Sequence, residues 1–252
     1  MQIYLSAAPQ ELRNALRYRC IPAHVAYRIG PESTLLRGTL PIQIRGGLLS
    51  LSDWEAPPIQ KPDHLAGAVV QECLRRSFSG AVLDFEALPR PDRQQFVSVL
   101  ARSLLRIKRQ LFVPEAYAAG AEGAVPLLNT ALSGGSYEAY LREKAVPGRM
   151  PALDVQRLAM DFTLPEPRGE GTPLSSADLA QRLERQPCVF FSPELCARYF
   201  TYSDKDHTHF VLFDDAGTLL QKLRIATALG YQAAFFMYPE VQDLLAQLLP
   251  SR

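Results

Sequence analysis

The chain has 252 residues, 47% of them hydrophobic and 21% charged, enough to bury one sizeable core of the upper usual domain size. Its 27 basic and 26 acidic residues leave a formal charge of +1, and with no basic run there is no electrostatic footprint for nucleic acid. Four cysteines (Cys20, Cys73, Cys188 and Cys196) show no C-x-x-C spacing, so reduced thiols are expected rather than a disulfide framework. Met1 to Ser6 lacks a basic and then apolar leader, and no apolar run is long enough to span a bilayer, so no membrane partner is expected.

In chain order, Gln2 to Ser6 reads as a first strand and Pro9 to Arg19 as an amphipathic helix with Leu12, Ala15 and Leu16 inward. His24 to Ile29 is a second strand, and 31–46 is irregular because Pro31, Gly38 and Pro41 interrupt any period. Leu48 to Leu51 is a third strand, followed by the polar and aromatic Ser52, Asp53, Trp54 and Glu55. Asp63 then caps a helix running to Arg76.

The central stretch runs from Ser79 to Pro89. Gly80 opens it, Ala81 to Phe85 is apolar apart from Asp84, and Leu88 and Pro89 close it. Alternation puts Val82, Asp84 and Glu86 on one face and Leu83 and Phe85 on the other. Two carboxylates side by side at the end of an apolar strand raise at least one pKa, as a general acid near neutral pH requires. Emergence of both acids into solvent, or pairing with arginines, is the competing reading.

Beyond it, Phe96, Val97, Leu100, Leu104 and Ile107 mark a strongly periodic helix. Leu111 to Val113 is a fifth strand with Glu115 and Tyr117 past its end, and Leu127 to Leu132 is a sixth, with Asn129 in it. Ser136 caps a helix from Tyr137 to Lys144, and Arg157 to Phe162 is a seventh strand with Asp161 near its end. Ser175 to Leu183 is a capped helix. His209 to Asp215, a helix from Gly217 to Leu229 and a last strand from Gly230 to Phe236 follow.

Strands alternating with helices indicate an α/β fold with a parallel sheet. No G-x-G-x-x-G turn and no phosphate loop is present, which disfavours a doubly wound nucleotide-binding sheet. Polar residues recur where strands end (Asp53, Asp84, Glu86, Glu115, Asn129, Asp161). In a (β/α)8 TIM barrel those ends meet on one face. The expectation is one barrel domain over 1–252, with room for a small insertion before the last strand.

Leu83, Asp84, Phe85 and Glu86 resemble the end of the active-site signature of family-18 glycoside hydrolases, the chitinase-like barrels. There, aspartates at alternate strand positions finish in the catalytic glutamate. Ser79 and Val82 stand where that signature has its two earlier aspartates. From Phe191 to Tyr238 the chain is similar to the final segment of the branch associated with bacterial spore cortex. Asp214, Asp215, Lys222 and Gly230 match, and Met237 stands in place of the closing tryptophan. The family often carries Met-x-Tyr-Asp at the equivalent strand end, its tyrosine supporting the substrate's acetamido group, and Thr130 to Ser133 lacks both the tyrosine and the aspartate.

The resemblance implies hydrolysis of a β-linked N-acetylglucosamine glycan, peptidoglycan or chitin-like. Glu86 is then the acid, Asp84 the group that orients the substrate's own acetamido nucleophile, and no metal or organic cofactor is involved. Asp53, Trp54, Tyr117, Asn129, Asp161 and Tyr238 are the substrate-binding candidates. The alternative is a catalytically impaired glycan-binding or structural barrel. His207 and His209, at alternate strand positions, lack a third ligand at matching spacing and are expected to be exposed at a turn rather than to bind metal. Asp214 and Asp215 are assigned a structural role at a helix start. A cytoplasmic or spore-associated location is expected, and the oligomeric state is left open.

Overall fold

The structure is a computed structural model describing residues 1–39, 45–146, 148, 150–165, 170–185, 188–204 and 207–251. The chain begins with β1 (Gln2–Ala7), a single helical turn α1 (Leu12–Ala15) and β2 (Ile21–Ile29). Next come β3 (Leu35–Arg37), β4 (Leu48–Ser52), α2 (Pro62–Arg76), β5 (Gly80–Asp84), α3 (Pro91–Arg106) and β6 (Gln110–Pro114). β7 (Val125–Asn129), α4 (Tyr137–Lys144) and β8 (Ala152–Val155) lead into an excursion. It comprises β9 (Ala159–Leu164), β10 (Thr172–Pro173), α5 (Ser176–Glu184), β11 (Phe190–Ser192), β12 (Ala197–Asp204) and β13 (His207–Phe213). α6 (Ala216–Ala228), β14 (Ala233–Met237) and the short α7 (Tyr238–Val241) and α8 (Leu245–Leu248) complete it.

Eight strands (β1, β2, β4, β5, β6, β7, β8 and β14) pair in parallel, and β1 closes the circle by pairing with both β14 and β2. β3 adds an antiparallel edge to β2. The excursion forms a separate antiparallel sheet in the order β10-β9-β13-β12-β11, so it is an insertion ahead of the last barrel strand.

This arrangement corrects four expected elements. The seventh barrel strand is Ala152–Val155, whereas the alternating stretch around Asp161 belongs to the insertion and pairs antiparallel with β13. Four residues are too few to show a period, and the longer neighbour carries the stronger strand pattern. The helix expected over Pro9 to Arg19 shortens to one turn, and part of the irregular 31–46 becomes β3, residues 40–44 lying outside the described residues. α2 begins with Pro62 at its first turn behind Lys61, not with a cap from Asp63.

The barrel core is layered. Tyr4, Ala23, Leu48, Val82, Phe112, Ala152 and Phe235 point inward as one apolar plug. Tyr4 stacks on Phe235 at 4.5 Å and Phe112 meets Phe235 edge-on at 4.8 Å, filling an interior that eight strands leave just wide enough for side chains. Alternate residues face out: Ala81, Leu83 and Phe85 join Leu65, Val69, Phe96, Val97 and Leu100 of α2 and α3 in the layer between sheet and helices. The inward assignment of Val82 and Asp84 thus follows from the period-2 pattern. Gly80 is needed where β5 begins, because a Cβ there would sit 2.0 Å from the Gln110 carbonyl oxygen. Gly80→Ala is expected to destabilise the fold by at least about 1–3 kcal/mol in urea melts; an unchanged midpoint would show that the β5–β6 pair can separate freely.

Candidate functional site

Two residues beyond the apolar plug, each barrel strand presents its next inward position to the rim. Ser6, Val25, Ser50, Asp84, Pro114, Asn129, Asp154 and Met237 line one cavity of about 610 Å³ at the C-terminal ends of the strands. Glu86 lines the same cavity and also a second one, which Trp54, Arg28 and Gln10 border, so the two hollows meet at this glutamate. Glu115, Tyr140, Gln156 and Glu240 complete the polar wall of the first.

The loop carrying Glu86 is braced from below. Asp53 Oδ1 accepts the Glu86 backbone N–H at 3.1 Å, and the Asp53 backbone N–H donates to the Asp84 carbonyl at 3.3 Å. Asp53 Oδ2 lies 3.5 Å from Nε of Arg93, whose side chain is buried and donates to the carbonyls of Ala56 and Pro57. Tyr117 Oη donates to the Ala87 carbonyl at 2.8 Å, and its ring meets Phe85 edge-on at 5.4 Å. The Asp84 carboxyl is held above its ordinary range by burial first, then by the charges of Glu86 and Asp53.

The substrate-binding candidates therefore separate. Asn129 is on the cavity wall, and Trp54 is 57% exposed beside the adjoining hollow. Asp53 and Tyr117 are buried under the Glu86 loop and off the cavity wall, because Asp53 faces Arg93 of the outer helix α3 and the ring after β6 fits the outer apolar layer. Tyr238, the first residue of α7, is buried in the apolar layer outside the barrel.

Asp161 lies in the insertion, where it accepts from Tyr202 Oη at 2.9 Å and pairs with His209 Nδ1 at 3.0 Å and Arg182 at 3.1 Å. His209 is thus part of that sheet and stacked on Tyr202 at 4.5 Å, not exposed at a turn. Among the described residues no cluster of three His, Cys, Asp or Glu side chains has a metal-holding arrangement.

Asp154 and Gln156 are among the wall residues that the sequence reading missed, with Ser6, Ser50, Tyr140 and Glu240. Asp154 sits two positions after an inward Ala152, so the same alternation that finds Asp84 finds it once β8 is placed correctly. Asp214 and Asp215 have the structural roles expected. Asp215 caps α6 in a reciprocal pair with Thr218, and Asp214 forms a buried ion pair with Lys222.

No family model matches the chain, and no curated protein sequence does. Solved structures do. A chitinase from Chromobacterium violaceum superposes with a TM-score of 0.65 at 17% identity, covering 100% of this chain and 99% of that one. The spore cortex-lytic enzyme SleL of Bacillus megaterium gives 0.62 at 15% identity, over 94% of this chain and 70% of that one. A class V chitinase mutant from Cycas revoluta, solved with (GlcNAc)3, gives 0.64 at 12% identity over 99% and 98%. The barrel and its closure are thus those of the fold that GH18 chitinases and spore cortex-lytic enzymes share.

Proposed function

We propose that this chain is a glycoside hydrolase-like protein, one functional domain that takes β-linked N-acetylglucosamine glycans of peptidoglycan or chitin type into the rim cavity. Glu86 protonates the glycosidic oxygen while the acetamido oxygen of the substrate attacks the anomeric carbon. The leaving sugar departs with that proton and the bound sugar closes to an oxazolinium ring. Asp84 accepts the acetamido N–H and balances the positive charge on the ring. Water, deprotonated by Glu86, then reopens the ring with net retention.

The observation that carries this reading is the pair itself: Asp84 half-buried on the cavity wall and Glu86 exposed beside it, on a loop tied to Asp53 and Tyr117. Solved structures of the same fold bind N-acetylglucosamine oligomers, which supports the choice of ligand. The test is release of shorter sugars from an N-acetylglucosamine tetramer by the intact chain, and its loss in Glu86→Gln. A spore-associated or cytoplasmic place of action belongs to the same proposal.

A second reading, a glycan-binding barrel with little or no turnover, is favoured by two observations. Val82, beneath Asp84, is an apolar member of the interior plug, and Met237 lines the cavity where the family resemblance has an aromatic floor. Val82→Asp with Met237→Trp is expected to raise hydrolysis by about 10-fold or more, within what one positioned acid–base group supplies. An unchanged rate in a double variant shown by circular dichroism to be folded would remove both residues from the account.

A further inference from the structure

Asp154 has no role in the reading above, yet it is a half-buried acid on the cavity wall, as Asp84 is. Its Oδ2 accepts the Gln156 amide at 2.9 Å, and Gln156 Oε1 accepts the Asn129 amide at 2.8 Å. Asn129 Oδ1 in turn accepts the Ala131 backbone N–H at 2.7 Å. This chain of amides crosses from the end of β8 to the end of β7, whose Asn129 and Asp154 are register partners. It fixes the carboxyl and leaves Oδ1 with no hydrogen-bond partner among the described residues.

The charged groups around the same cavity are all acids: Glu240 at α7, Asp84 and Glu86 at β5, and Glu115 after β6, itself paired with Lys144. The neutral polar groups beside them are Ser6 on β1, Ser50 on β4, Tyr140 on α4 and the Asn129 and Gln156 amides, and no lysine or arginine lines the cavity among the described residues. Buried carboxyls without cations retain a proton. Burial, then the charges of Glu240 and Asp84, push the Asp154 carboxyl up to about 6 against the lowering effect of the Gln156 amide.

We propose that Asp154 is a substrate-contacting residue which, as a neutral carboxylic acid, donates from Oδ1 to an oxygen of the bound glycan and leaves Asp84 to be the anion of the site. This rests on the glycan reading of the cavity and adds a residue to it. It makes glycan binding weaken as pH rises, the opposite of what protonation of Asp84 does. A carboxyl that ionises loses its donor, and a carboxylate cannot bond an oxygen that only accepts, such as a glycosidic, ring or acetamido carbonyl oxygen, which is the kind of oxygen Asp154 is assigned.

The experiment follows binding of an N-acetylglucosamine tetramer by fluorescence of Trp54, the single tryptophan, and titrates Asp154 in the free protein by carboxyl-carbon NMR. Between pH 5 and pH 8 wild-type affinity is expected to fall about tenfold, the worth of one good hydrogen bond. Asp154→Asn, which keeps an N–H donor, should bind at pH 8 about as tightly as wild type does at pH 5; Asp154→Leu should bind weakly throughout. The NMR midpoint should lie near 6 and fall in Glu240→Gln. The proposal is overturned, with the glycan reading intact, if wild type binds but Asp154→Asn keeps its pH dependence, if Asp154→Leu binds normally, or if Asp154 titrates as an ordinary carboxylate. If wild type binds no tetramer at any pH, both fall together.

Discussion

Glu86→Gln is expected to lower hydrolysis of N-acetylglucosamine oligomers by about 10²–10⁴-fold, the range that a positioned proton donor contributes. Glutamine keeps the size of the side chain and the backbone bond to Asp53, so the loop and substrate affinity should survive. What disappears is the proton for the departing oxygen. A substrate whose leaving group needs no proton should therefore lose far less than a true oligosaccharide. The pH profile carries a second sign. Asp84 must be an anion to hold the acetamido N–H, so activity is lost as pH falls through its raised pKa, and Glu86 is one of the charges raising it. In Glu86→Gln the acid limb of the residual activity should move to lower pH. Equal rates for wild type and variant on the oligosaccharide would end the assignment of Glu86 as the acid.

Lys222→Met is expected to destabilise the protein by about 3–5 kcal/mol, because it leaves a buried aspartate without its cation. Lys222 Nζ lies 2.7 Å from Asp214 Oδ2, and the two side chains are 1% and 0% exposed. Asp214 also accepts from Thr218 Oγ at 2.8 Å and from the Leu158 backbone N–H at 3.1 Å, while Lys222 donates to the Thr130 carbonyl at 3.3 Å. The pair thus fastens the end of β13, the start of the insertion, the end of β7 and α6 to one point. Thermal melting should fall by roughly 10 °C for that loss in a chain of this size. The double variant Lys222→Met with Asp214→Leu should recover much of it, since an apolar pair of similar volume replaces a buried ion pair at little cost. A single variant within about 1 kcal/mol of wild type would mean that water reaches Asp214.

The two acids at β5 were legible because the information is local. A strand shows its faces by alternation, Val82 and Asp84 differ by two, and the turn at Leu88 to Pro91 marks where the chain leaves the barrel. The α3 stripe of Phe96, Val97, Leu100 and Leu104, the Ser136 cap and the helix start just after Asp215 were legible for the same reason, each resting on neighbours within a turn or two.

Asp154 and Asp161 show where locality stops. Both follow apolar residues in strand-like stretches seven positions apart, and period-2 alternation treats them alike. Strand pairing separates them: β8 hydrogen-bonds in parallel to β7 and β14, whereas β9 pairs antiparallel with β13, some fifty residues later in the chain. Asp53 and Tyr117 are a subtler case. Their position after a strand is local, but whether such a side chain turns to the cavity or under the neighbouring loop depends on Arg93 and Phe85 from other elements. The sequence by itself therefore determined which residues share a face within an element. Which faces meet, and so which acids share one cavity, was decided only by long-range pairing that no local period encodes.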